Sequence, residues 1–502
     1  MDTSYFDAVV CGSDLAGLVT AALLGRRGMR VLVCGLDRAP ATFSAGGYTL
    51  SREPGLLPPP EGEPVARILR ELNYVQIIRR RAPALQPAFQ LVVPKHRLDF
   101  GPAESLPREL AREFPAEAAT ITQALGRLQD TSGILEPLLG QDLTLPPDGF
   151  WERREVARVE NQLPRATTDL LAPLPADHPL RAGLTALAAL TTGFAPVDLN
   201  GVVQARAFDV ARRGAFRLEG GLTALRALFT DRIATSSGEV RDKLTPIELV
   251  MKRGRVAGLR VSPRDETIGL DHLVWAGPLA GLVQLCGDKA SRKLRETAAS
   301  VRPACYRYTL CLLVRPDAIP EGMGTRVIAV RDPAQPLIED NAVCITVGAE
   351  DHKRHQVPLW VDCLVPAAAA SGEGYLAVLR ARLRDCIGRV LPFFERHLLV
   401  LASPHDGLPP ELSHSEPSLE PPEAIPATPM TPALTSDLPR ALAVAGAGHA
   451  TGIKNLILAN GENLPGLGRE GDFVSAWGAA RLIAGPQPKR EANRREILIE
   501  DT

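Results

Sequence analysis

Residues 6–37 read FDAVVCGSDLAGLVTAALLGRRGMRVLVCGLD, and the fold turns on this stretch. FDAVVCG is a short, continuously apolar strand, LAGLVTAALLGRRG an Ala/Leu-rich helix closed by Gly28, and MRVLVCG a second buried strand. Strands apolar along their whole length suit the middle of a parallel sheet covered on both faces. The turn between strand and helix places Gly12 and Gly17 where a dinucleotide-binding turn needs its first and third glycines. Asp14 stands where the second glycine lets backbone approach a diphosphate.

The rest of the chain narrows the class. Its 502 residues are enough for two or three cores of roughly 100–200 residues each. With 45% hydrophobic residues and a formal net charge of −1, nothing points to disorder or to nucleic acid as partner. The N-terminus runs almost directly into a strand, with no basic and apolar leader, and no run of about 18 uncharged apolar residues follows. The eight cysteines are scattered, without C-x-x-C pairs or Cys/His clusters at metal spacing, so no metal site is expected. Buried reduced thiols and a cytoplasmic location are the matching expectations.

Residues 38–63 read as loop, ending in LLPPPEGEP, and 64–200 as largely helical, interrupted by the strand-turn-strand FQLVVPKHRLDF. FRLEGGLTALRALFTDRI (216–233) is a Gly-Gly turn entering an amphipathic helix, followed by a meander of short strands to residue 276. Strands and one helix share 290–400, and the proline-rich stretch 404–439 reads as extended. NLILANG, a Gly/Pro turn and the helix DFVSAWGAARLIAG follow, and a charged tail begins at Pro486.

Three of these stretches together resemble one family. The N-terminal turn, the central Gly-Gly helix with its strands, and NLILANGENLPGLGREGDFVSAWGAARLI (455–483) are similar, in order, to segments of the phytoene desaturases in the FAD-dependent amine-oxidase-like superfamily. The resemblance implies an α/β fold: a Rossmann-like FAD-binding domain of the GR2 type, with a second, mixed α+β substrate domain. The first would be discontinuous (1–63, 201–290 and 440–485); the second would comprise 64–200 and 291–403. It also implies an FAD-dependent oxidoreductase moving hydride between flavin and an apolar, isoprenoid-like substrate, with room for peripheral membrane contact.

On this resemblance the cofactor-binding candidates are Gly12, Asp14 and Gly17 in the first turn. Asp37 substitutes for the ribose-binding acid, whose own position holds Gly35. Gly461, Glu462, Pro465, Gly466, Gly468, Glu470 and Gly471 form the C-terminal flavin motif. No catalytic residue can be named. Asp14 reads equally as a helix N-cap, and it brings negative charge towards a diphosphate. By eye, Pro246, which has no N–H, aligns with the strand that contacts the adenine. A second reading therefore stays open: a flavin-less relative of the same fold that binds a ligand or protein partner.

Overall fold

The computed structural model describes residues 4–36, 39–413 and 422–485. The strand Tyr5–Cys11 lies between Val31–Cys34 and Glu266–Trp275, parallel to both. The sheet extends antiparallel through Arg255–Ser262 to Thr245–Lys252 at one edge, and in parallel to Glu239–Arg241 at the other. Leu456–Leu458 adds a further parallel partner to Glu266–Trp275. Three stretches far apart in sequence thus build one seven-stranded sheet. Pro246 sits on its outer strand, where a missing N–H is tolerated.

Alternation along the central strand divides the two faces. Ala8 and Val10 pack against the helices Leu15–Arg26, Gly221–Thr235 and Arg469–Ala484. Phe6, Val9 and Cys11 face the meander and the helix Leu279–Cys286. The helices Glu63–Glu71 and Val75–Arg81 join the first of these layers through Val65, Ile68 and Ile78.

A second, nine-stranded sheet is built on the long strand Val301–Val314, which pairs with Val357–Pro366, Leu398–Ala402 and Thr431–Ser436. It continues through Ala342–Val347 and Arg326–Val330 to the hairpin Phe89–Val93/His96–Phe100. The helices Ala118–Leu139, Pro179–Thr191 and Gly201–Arg212 cover one face, and Tyr375–Val390 covers the other.

One expected loop is ordered. Thr42–Ala45 and Tyr48–Ser51 form a hairpin whose turn residues Gly46 and Gly47 have φ of +55° and +84°. Its Phe43 and Leu50 pack with Trp360 and Val400 of the second sheet, and Trp360 Nε1 donates to the Ser51 carbonyl at 2.8 Å. Four-residue strands around a Gly-Gly pair give too short an alternation to be read from sequence.

All eight cysteines are free and buried. Among the described residues, no helix is long and apolar enough to cross a membrane, and no group of His, Cys, Asp or Glu is arranged to hold a metal ion.

Candidate functional site

The first turn keeps the packing role of its glycines. A Cβ at Gly17 would lie 2.2 Å from the Gly12 carbonyl oxygen, and Gly12 itself has φ of +118°. Only glycine at both positions allows helix and strand to approach this closely. The residue between them acts on the helix. Asp14 is its N-cap, and Gly17 N–H donates to Asp14 Oδ1 at 2.9 Å. One of the free N–H groups that make a helix start an anion site is therefore satisfied by the chain's own carboxylate. Next to it, Arg226 Nη2 donates to Ser13 Oγ at 2.9 Å.

The ribose position is closed by backbone. A Cβ at Gly35 would lie 1.9 Å from the Asp242 carbonyl oxygen, so no acidic side chain can stand there without moving that loop. Asp37, the substitute expected from sequence, lies outside the described residues.

The C-terminal motif is likewise engaged internally. Glu462 Oε2 accepts from Leu279 N–H at 2.9 Å, at the start of the helix Leu279–Cys286, and burial pushes its carboxyl up to about 7. Pro465 accepts from Gly193 N–H at 2.7 Å. Cβ atoms at Gly466, Gly468 and Gly471 would lie 2.8 Å from Val444 Cα, 2.2 Å from the Thr191 carbonyl and 2.5 Å from the Leu464 carbonyl. These three glycines let the last helix dock against its neighbours. Gly461 is looser, with Asp472 Oδ1 3.5 Å from its notional Cβ.

Glu470 forms the strongest contact, a two-pronged pair with Arg206 at 2.8 and 2.6 Å. Arg206 also donates to Glu136 at 2.5 Å and Ser132 Oγ at 3.1 Å, and its side chain is 1% exposed. Arg212 and Arg213 pair with Asp209 at 2.7 and 2.6 Å, and Arg213 reaches Glu136 at 3.0 Å. Sequence reading passed over Arg206. Its signal was an arginine among the apolar residues of GVVQARAFDVAR, three positions before Asp209.

His449 does not line an opening. It is buried between the Leu458 and Leu145 carbonyls, at 2.7 and 2.9 Å, beneath Gly478 of the last helix. Trp477 is core, with Nε1 donating to Asp142 at 3.0 Å.

Two adjoining cavities lie near the start of the last helix, both bordered by its Arg469. The smaller, about 20 Å³, is bordered by Leu15, Leu18 and Arg226 beside the turn. The larger, about 80 Å³, opens to solvent and lies between Leu57, Val210, Ala211 and Arg326 and the first residues of the last helix. Leu56 and Arg469 border both, and Arg469 is ion-paired with Glu53. This pair stands where the two cavities adjoin.

FAD thus meets two different ends. At the larger cavity, apolar walls and a helix N-terminus suit the ring of a flavin. At the turn, the Asp14 carboxylate occupies Gly17 N–H where a diphosphate would bind, and the Gly35–Asp242 contact leaves no room for an acid at the ribose.

Neither a protein-family model nor a curated protein matches the chain. Solved structures do. An oxidoreductase from Methanosarcina mazei is 14% identical, over 92% of this chain and 98% of its own, with a TM-score of 0.58. A putrescine oxidase variant is 13% identical over 96% and 99%, with a TM-score of 0.60. Cyclohexylamine oxidase from Brevibacterium oxydans is 14% identical over 97% and 100%, with a TM-score of 0.57. At such identities the likeness speaks for architecture, and it runs the length of both partners: this chain has the fold of the amine oxidases.

Proposed function

We propose that the chain is a phytoene desaturase-like, FAD-dependent oxidoreductase that exchanges hydride between flavin and an apolar substrate. The observation that carries this reading is the larger cavity. It has mainly apolar walls, lies between the two sheet domains and abuts the N-terminus of the last helix. The oxidase fold along nearly the whole chain supports it. FAD, when bound, supplies the hydride-accepting ring. The chain's own part is to bind and shield. Glu470 at the cavity wall is held by Arg206, so it orients the last helix. Admitting the diphosphate to the helix start requires Asp14 to leave Gly17 N–H.

Those same contacts favour a second reading, a flavin-less binding protein of this fold whose cleft or whose 404–439 segment meets a partner. A visible spectrum of the purified chain separates the two, followed by heat release and identification of any nucleotide. The flavoprotein reading expects a flavin band, native or on adding excess FAD. A chain that neither carries nor takes up flavin is the binding protein.

A further inference from the structure

The charges around the larger cavity do not balance. Arg206 and Glu470, which line it, belong to a network behind the wall in which Arg206, Arg212 and Arg213 stand against Glu136, Asp209 and Glu470, all mutually paired. Arg469 is matched by Glu53. No acid is left for Arg326, which lines the cavity from the second sheet. Its Nε is buried without a hydrogen-bond partner, and no carboxylate among the described residues pairs with its guanidinium.

A second cation without a carboxylate among the described residues, Arg217, lies outside the lining but reaches the neighbouring strand. Arg217 Nη2 donates to the Val347 carbonyl, on the strand that pairs with that of Arg326, and its Nε is also buried and unpartnered. Burial without a carboxylate pulls the Arg217 pKa below its ordinary value. Thr192 also lines the cavity, is 5% exposed, and its Oγ1 has no partner either. Buried guanidinium and hydroxyl groups left unsatisfied are costly, and where they converge on an opening they mark the place of a missing acceptor.

We propose that this cavity binds a carboxylic acid with an apolar tail, its carboxylate on Arg326 and Thr192 Oγ1 and its tail along Leu57, Val210 and Ala211. A guanidinium presents a planar fork that matches the two oxygens of a carboxylate. The apolar lining residues accept the tail. This gives the apolar substrate of the reading above an anionic head. It rests on that reading only for what happens to the ligand afterwards, not for its binding.

The test uses hexanoate and hexan-1-ol, which share a tail and differ in charge, titrated into the full chain by calorimetry. Flavin content is read from the visible spectrum of the same sample. Hexanoate should bind at least about ten-fold more tightly than hexan-1-ol, a difference of about 1.4 kcal/mol. Arg326→Met should erase that preference, and Arg326→Lys should keep part of it. Equal affinity for acid and alcohol in the unaltered chain overturns the proposal, whether or not Arg326→Met folds. So does an undiminished preference in a folded Arg326→Met chain. Hexanoate preference in a chain that takes up no flavin leaves this proposal standing and removes the oxidoreductase reading. A flavin-loaded chain without that preference does the reverse.

Discussion

The two ends of the cleft treat their polar groups in opposite ways. At the N-terminal turn, Asp14 satisfies Gly17 N–H, Arg226 satisfies Ser13, and Asp242 fills the space beside Gly35. At the far cavity, Glu470 is matched by Arg206 but Arg326 and Thr192 retain polar atoms with nothing to bond. One end is complete as folded; the other is completed by a ligand. A glycine pattern alone cannot tell these conditions apart, because the same glycines serve close packing of helix on strand and close approach of a phosphate.

The largest expected effect breaks the matched side of the far cavity. Glu470→Ala leaves Arg206 buried with only part of its pairing, and should cost about 3–5 kcal/mol of stability in urea denaturation. A cost below about 1 kcal/mol would mean that this pair does not hold the last helix in place.

Next is the closed ribose position. Gly35→Glu restores the acid a ribose would use, but sets its Cβ against the Asp242 carbonyl. It should destabilise by about 1–3 kcal/mol, as overpacking does, without improving flavin uptake. Normal stability with tighter FAD binding would show that the 242 loop yields easily and that the turn end is not complete as folded.

The smallest effect concerns Glu462, whose carboxyl is pushed up to about 7 by burial. An unfolded glutamate titrates near about 4.3. Between those values the folded chain keeps a proton that the unfolded chain has lost, so stability declines as pH rises from about 4 to about 7 and then levels off. Because the residue is only half-buried, the decline attributable to it is on the order of 1 kcal/mol. Glu462→Gln should flatten it by that amount in denaturation curves taken across the window.

Local signals explain what was legible beforehand. The apolar strands 6–12 and 29–35, and the Gly-rich turn before the last helix, declare themselves within a few residues, and they place the first sheet and its helices correctly. The hairpin 42–51 was hidden because its strands are too short to show a period. The Arg206–Glu470 pair joins residues 264 apart, and the Arg326 cavity is assembled from five separated stretches. Beyond an arginine set among apolar residues, neither has a local pattern to find. Asp14 lies between these cases. The sequence posed both roles for it, cap and obstacle, and the structure shows the cap.

The most direct test of the account is the affinity for FAD of the unaltered chain beside Asp14→Gly, by equilibrium titration at one ionic strength. Glycine at an N-cap loses only a few tenths of a kcal/mol against aspartate, so the variant should fold normally. Removing a like charge from the turn, worth about 1–4 kcal/mol for a close pair, should strengthen binding at least several-fold. Weak binding by the unaltered chain and clearly tighter binding by Asp14→Gly is the predicted result. Equal affinity in the two chains, or no flavin bound by either, would contradict it.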